Sequence, residues 1–214
     1  MSDPLILALD TSTSTASLAL FDGTTVLSET TWLAGREHST RLLLEVDVAL
    51  ERVGRKIEEL TGMAVARGPG SFTGVRVAVS VAKGLAGAMG IPAWGASTLD
   101  VVALAAAPSM LPVRAVLEAG RGRYGTALYV DGHAVEQAHL VTVEDLITSV
   151  SDPTLVTGEM QPELRGRLAA LPQVRLAPVA ASARRAGFLA ELGWRMAKSG
   201  DPGDPRLLDA IYLT

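Results

Sequence analysis

The stretch ARGPGSFTGVRVAVSVAKG, Ala66 to Gly84, is where the residue types and their spacing first suggest chemistry. Gly68, Gly70 and Gly74 permit unusual backbone angles, and Ser71 can cap the helix that follows. Free N–H groups at a helix N-terminus suit an anion, so Gly68, Gly70 and Ser71 are candidate phosphate or nucleotide contacts. A phosphate loop also carries a lysine after its glycines, and here Val75 and Arg76 follow instead. A purely structural strand-to-helix turn is therefore the favoured reading of the segment. Metal chemistry finds less support. His38 has Ala34 and Leu42 four residues to either side, so no second histidine shares its helix face. His133 and His139, if on one strand, would stand about 20 Å apart at about 3.3 Å per residue, as ordinary surface residues do. The chain has no cysteine, and no serine has a suitably spaced His–acid pair for nucleophilic catalysis.

The helix after the turn is apolar over most of its girth. At about 100° per residue, Thr73, Arg76, Ser80, Lys83, Gly84 and Gly87 gather into one narrow polar or small stripe. Apolar residues to Met89 fill the rest. A helix packed on one sheet needs only a modest apolar stripe. A second cover is expected, with Val75, Val79, Ala82 and Ala86 facing a partner. The preceding helix, from about Thr40 to Val53 with Ser39 as N-cap, has a core stripe of Leu42, Leu43, Val46, Ala49, Leu50 and Val53. Leu44 and Val48 sit one turn apart on its opposite face, among Arg41, Glu45, Asp47, Glu51 and Arg52. Two apolar side chains ringed by charge form the pattern of a partner-facing patch. Cover by neighbouring helices of the same chain is the alternative.

These residues must be positioned by elements that the sequence states twice. LILALD, ASLALFDG and TTVLSETTWL read as three antiparallel strands between Leu5 and Leu33, with a hairpin at Asp22-Gly23. Ala115 to Leu140 repeats the order: a strand ending in Glu118, a turn, a second strand, Asp131-Gly132 and a third strand. Asp10 and Glu118 lie 108 positions apart and the two Asp-Gly pairs 109 apart, which suggests a duplicated unit in the 214-residue chain. Helices alternating with short strands follow each triplet. In the first half they are a strand at Gly62 to Arg67, the helix to Met89, a strand near Pro92 to Gly95 and a helix from Thr98. In the second half, Val143 to Val150, Pro162 to Leu171 and Ala183 to Lys198 read as helices, with strands at Thr154 to Gly158 and Gln173 to Ala177. The expected fold is α/β, two-lobed, with duplicated β-β-β-α-β-α halves at residues 1–107 and 113–214. The tail DPGDPRLLDAIYLT is expected to pack back on the body.

An apolar content of 48% is ample for a packed core. Absence of cysteine fits a reducing compartment, and the N-terminus MSDPLILALD has Asp3 where a signal peptide needs positive charge. Gly84 to Val113 is broken by three prolines and reads as core rather than a membrane span. A cytoplasmic protein without membrane attachment is expected. A net charge of −4 argues against nucleic-acid binding by this chain alone.

Tandem halves of this kind resemble the actin/hexokinase/Hsp70 superfamily, with its ribonuclease H-like fold. More closely, LALDTST and ARGPGSFTGVRVAVSVAKGLAGAMGIPAWGASTLD, together with REHSTRLLLEVDVAL and the closing AIYLT, resemble the TsaB (YeaZ) family. The resemblance covers most of residues 5–110 and is looser beyond. It implies the accessory subunit of the machinery that makes N6-threonylcarbamoyladenosine (t6A) at position 37 of ANN-decoding tRNAs. It further implies dimerisation with the catalytic homologue TsaD through the two helices, an ATPase of the TsaE type as a further partner, and a homodimer as an alternative state. Contact with tRNA is expected only through the complex.

The superfamily places its first phosphate loop at Asp10-Thr11-Ser12, which become candidate nucleotide contacts. The second half answers with Glu118-Ala119-Gly120-Arg121-Gly122-Arg123, not a clean glycine run. Residues 150–214 also lack the adjacent glycine pair that holds adenosine in such folds. The catalytic relative's His-x-x-x-His pair is reduced to His38. The expectation is a non-catalytic scaffold with no cofactor of its own, ATP/ADP and metal residing in the partner subunits. A stand-alone small actin-fold ATPase or kinase is the alternative.

Overall fold

An apolar run without polar alternation marks a strand covered on both faces, and Leu5 to Asp10 is such a run. It forms β1 (Ile6–Asp10), every residue of which is buried. The computed structural model describes residues 3–35, 38–120 and 122–213, with the backbone alone for residues 38–40. β2 (Thr15–Phe21) pairs antiparallel with β1, Ile6 opposite Phe21 and Asp10 opposite Ser17. The Asp22-Gly23 turn leads into β3 (Val26–Leu33), antiparallel to β2. The Asp22 carboxylate accepts the N–H groups of Thr24 and Thr25 at 2.8 and 2.7 Å. Those bonds, that from Thr24 foremost, hold its pKa below the ordinary value.

α1 (His38–Arg52) carries the chain to β4 (Gly62–Ala66), and α2 (Phe72–Met89) to β5 (Ala93–Ala96). Both strands are parallel to their inner neighbour, giving the order β3-β2-β1-β4-β5. Pleating sends alternate residues to opposite faces. Leu5, Leu7, Leu9, Leu18, Leu20, Met63 and Val65 go to the face covered by α1 and α2.

The second sheet repeats this plan. β6 (Val113–Glu118), β7 (Tyr124–Val130), β8 (His133–Ala134), β9 (His139–Val141), β10 (Thr154–Glu159) and β11 (Val174–Leu176) give the order β11-β10-β6-β7-β8, with β9 also on β7. Pairing is antiparallel among β6 to β9 and parallel from β6 through β10 to β11. The duplication expected from the Asp-Gly spacing is thus present as a repeated topology. The third strand differs from expectation in being two pieces. Between them Glu136 meets the buried Arg114 at 2.8 Å.

The helices that end the two halves are exchanged. α3 (Thr98–Ala105) buries Leu99, Val102 and Ala103 against Val113, Ala115, Leu117, Ala127 and Tyr129 of the second sheet. Its Asp100 accepts the Tyr129 hydroxyl at 2.7 Å, and burial, with that carboxylate, pushes the phenol pKa well above its usual value. α4 (Val143–Ser149) and α5 (Pro162–Ala169) cover the other face of that sheet. After α6 (Val179–Ser182), α7 (Ala186–Lys198) crosses β1, β2, β4 and β5 of the first sheet.

One compact unit therefore holds Met1–Thr98 and Arg185–Ile211, and the other Leu99–Arg184 and Tyr212–Thr214. A division at residues 107–113 follows the order of the repeats, and the compact units do not, because each sheet takes its closing helix from the other repeat. α7 also starts later than the expected Ala183. Ala183 and Arg185 are extended, so that Arg184 reaches Glu159 and Arg185 reaches Glu29 at 2.5 Å each. Ala186 N–H then donates to the buried Ser17 Oγ at 2.7 Å.

Leu189 of α7 is fully buried on the first sheet. Replacing it by alanine is expected to lower the free energy of unfolding by about 2–5 kcal/mol, measured by urea denaturation. The exposed Leu207→Ala should change it by less than about 0.5 kcal/mol. Equal effects of the two would show that α7 is not part of the first unit's core.

Candidate functional site

The glycine-rich turn fits against the end of β1 and not around open space. A Cβ on Gly70 would lie 2.2 Å from the Ser12 carbonyl oxygen, and one on Gly74 2.1 Å from that of Thr11. Only glycine allows this approach. Ser71 N–H donates to the Ser12 carbonyl at 2.6 Å, and the Ser71 hydroxyl caps α2 by accepting Gly74 N–H at 3.3 Å. The Thr11 hydroxyl donates to the Gly74 carbonyl at 2.5 Å and accepts Ala78 N–H at 3.2 Å. An unbroken helix would pair those two backbone groups with each other. Ser12 Oγ meets Thr98 Oγ1 at 3.0 Å, and Thr98 Oγ1 accepts Gly68 N–H at 3.1 Å. Asp10 accepts Ser12 N–H at 2.8 Å. The structure thus brings Asp10, Thr11, Ser12, Gly68, Gly70 and Ser71 together as the sequence suggested. It turns them toward each other, with Asp10, Thr11 and Ser12 buried. Gly70 and Gly74 permit the contact with the first loop and Gly68 N–H bonds inward to Thr98, while Ser71 at the head of α2 is exposed.

In the corresponding turn of the second sheet the described residues Gly120, Gly122 and Arg123 are exposed. Ala119 N–H donates to the Arg123 carbonyl at 2.9 Å, and Arg123 N–H to that of Gly120 at 3.1 Å. Gln161 Nε2 donates to Glu118 Oε2 at 2.6 Å. Burial raises the Tyr124 phenol above its usual value, and the Glu118 carboxylate adds to this. Arg121 lies outside the described residues.

His38 begins α1, but its side chain, like that of Ser39, lies outside the described residues. Ser39 falls within α1 and not before it. Leu42, one turn on from His38, is fully buried core. His133 and His139 occupy different strands, and His139 Nε2 lies 3.6 Å from Glu136. Among the described residues no three His, Cys, Asp or Glu side chains converge on a metal position.

The outward face of α1 and α2 differs from its expected composition. Leu44 and Val48 are 62% and 39% exposed, on the outer face of α1 as expected. Leu42, Val46, Ala49 and Leu50 are core, whereas Leu43, expected with them, is 47% exposed. On α2 the expected interface residues Val75, Val79, Ala82 and Ala86 are at most 6% exposed. They lie in the core against the first sheet, and cannot face a partner while α2 stays packed there. The sheet takes the broad apolar side, and the narrow stripe is what α2 presents: Thr73, Arg76, Ser80, Gly84 and Gly87, joined by Phe72 and Ala88.

Val77, Val81 and Leu85 border that stripe, half-buried. Arg76 stacks on Phe72 with its guanidinium carbon 3.5 Å from the ring centre. Phe72, Thr73, Arg76, Val77, Ser80 and Val81 line a shallow depression of about 380 Å³. Beyond the helix's own backbone and the adjoining residues, no described atom lies within 4 Å of a Cβ built on Gly84 or Gly87. Sequence reasoning placed Leu43 in the core stripe and did not single out Phe72, and it assigned the partner-facing side of α2 to Val75, Val79, Ala82 and Ala86, which the structure buries.

The family model described as TsaD, tRNA N6-adenosine threonylcarbamoyltransferase, matches residues 32–151, which include α1 and α2. The tRNA threonylcarbamoyladenosine biosynthesis protein TsaB of Escherichia coli (strain K12) is 42% identical over 98 residues, 46% of this chain and 42% of that protein. TsaB of Bacillus subtilis (strain 168) is 36% identical over 124 residues, 58% of this chain and 54% of that protein. The matched stretch therefore spans only about half the length of these curated relatives. The solved structure of YeaZ from Pseudomonas aeruginosa is 26% identical with a TM-score of 0.81, covering 98% of this chain and all of that one. Component A of the Acidaminococcus fermentans (R)-2-hydroxyglutaryl-CoA dehydratase has a TM-score of 0.57 at 11% identity, covering 91% and 99%, and shares the fold. No described helix is long and apolar enough to cross a membrane.

Thr11→Val keeps the shape of the side chain and removes a hydroxyl that bonds twice in a buried site. It is expected to cost about 1–3 kcal/mol in urea unfolding, because the Gly74 carbonyl and Ala78 N–H lose a shared partner. A change below about 0.5 kcal/mol would mean that the loop does not seat α2.

Proposed function

The chain belongs to the TsaB (YeaZ) family, and from that premise we propose that it is a non-catalytic scaffold subunit for t6A formation. It docks on a TsaD homologue through the outward faces of α1 and α2 and supports threonylcarbamoyl transfer to adenosine 37 of ANN-decoding tRNAs. The observation that carries this reading is the exposed face itself. Leu43, Leu44, Val48 and Phe72 stand in water beside a helix stripe of serine, alanine and glycine. A mid-helix glycine costs about 1 kcal/mol relative to alanine. Among the described residues nothing packs against Gly84 or Gly87 that would offset this. Close approach of a partner helix is what such positions permit.

α2 carries Arg76 and Lys83 and no acid, while α1 exposes charges of both signs, Arg41, Asp47, Glu51 and Arg52, around Leu44 and Val48. A second copy of this chain could use the same face, so homodimer and heterodimer would compete. The non-catalytic part of the reading is supported by the inward hydrogen bonding of the buried Thr11 and Ser12. Nucleotide and metal then belong to TsaD and a TsaE-type ATPase, and tRNA meets this chain only through the complex, in the cytoplasm.

Co-purification with a TsaD homologue tests the docking. Leu44→Asp, Val48→Asp and Gly84→Leu are each expected to weaken the complex at least tenfold, about 1.4 kcal/mol, with unchanged circular dichroism. Retention of the complex by all three would show that docking occurs elsewhere. Gly84→Ala should instead stabilise the isolated chain by up to about 1 kcal/mol. Tight Mg-ATP binding by the isolated chain in calorimetry would favour the stand-alone ATPase or kinase.

A further inference from the structure

The segment after α7 leaves one face of the first sheet and returns over the other. At the β5 edge Ala93 donates its N–H to the Gly203 carbonyl at 2.7 Å, and Trp94 Nε1 donates to that of Asp201 at 3.0 Å. Leu208 is 3% exposed and packs in the core shared by α1 and α2. Arg67, the residue that leads from β4 into the glycine turn, holds the segment twice. Its Nε donates to the Asp209 carbonyl at 2.5 Å, and its own carbonyl accepts Ile211 N–H at 2.6 Å. The Ile211 carbonyl oxygen lies 2.6 Å from where a Cβ on Gly68 would be, so the segment presses on the turn that opens α2. Further along α2, Lys83 Nζ stands 3.3 Å from Asp209 Oδ1.

We propose that Gly203–Ile211 is a strap that fixes α2 in its docking orientation, and that Arg67 and Leu208 are positioning residues for docking. The inference rests on the docking reading above. α2 is contacted at both its opening turn and its middle by one segment, which also accepts the Ala93 N–H at the β5 edge. Gly84 and Gly87, which suit the stripe to a close partner, also lower the helix's intrinsic stability. A segment fastened along its flank restores rigidity without occupying the stripe. A surface ordered in advance loses less entropy on binding. The strap thus raises affinity for the partner without touching it. The exposed Lys83–Asp209 pair contributes little by itself, so the hold lies in Leu208 and the two bonds to Arg67.

Hydrogen–deuterium exchange on the isolated chain, paired with affinity for a TsaD homologue, tests this on Arg67→Met and Leu208→Ala. Arg67→Met keeps the apolar stem and removes the Nε donor, so it carries the test if Leu208→Ala does not fold. The expected result is at least tenfold faster exchange in α2, no change in the second unit, and at least tenfold weaker partner binding. Unchanged exchange in α2 overturns the strap. Faster exchange with unchanged affinity overturns its positioning role. Failure of the unaltered chain to bind any TsaD homologue refutes the docking reading instead, and the exchange result still decides whether the strap holds α2.

Discussion

The closeness with which the first turn of α2 sits on the end of β1 governs the outward side of the first unit. Two backbone carbonyls, of Thr11 and Ser12, lie where Cβ atoms on Gly74 and Gly70 would have to be. Glycine at both positions lets the loops touch, and the Thr11 hydroxyl then joins the helix hydrogen-bond ladder between Gly74 and Ala78. That contact fixes where the helix starts and its rotation about its own axis. With rotation fixed, Val75, Ala78, Val79, Ala82 and Ala86 enter the core, and Arg76, Ser80, Gly84 and Gly87 point away from it. A loop whose composition suggests phosphate is thereby used to set a helix face.

The face so presented is costly for a chain acting alone. Exposed leucines gain nothing from the chain's own burial, and exposed glycines weaken the helix that carries them. A scaffold reading accounts for both, because their return comes in the complex. The exchanged helices α3 and α7 serve the same end: each sheet is covered by a helix of the other repeat, so α1 and α2 need not wrap it. Their outer sides are left open at no loss to the core.

Much of this was legible in the sequence. The Asp-Gly spacing announced the repeated topology, and the apolar run of β1 announced a central strand. Leu44 and Val48 could be placed outside because a leucine and a valine among charges do not fit a core stripe. The rotation of α2 was not legible. Its apolar side is so broad that periodicity cannot say which part meets the sheet, and that choice is made by Thr11 and the glycine contacts, distant in sequence. Leu43 was misplaced for a related reason, since three adjacent leucines admit more than one stripe. The helix exchange was hidden because periodicity reports that a face is covered and not by which repeat. The Arg114–Glu136 pair that falls between β8 and β9 is one that no local pattern reveals.

The central claim is that α1 and α2 form the docking face. Hydrogen–deuterium exchange of the chain with and without a saturating TsaD homologue measures this directly. Slower exchange in 38–52 and 72–89 on complex formation, with the rest of the chain little changed, is the result the account requires. Protection confined to the second unit, with those helices exchanging as in the free chain, would contradict it.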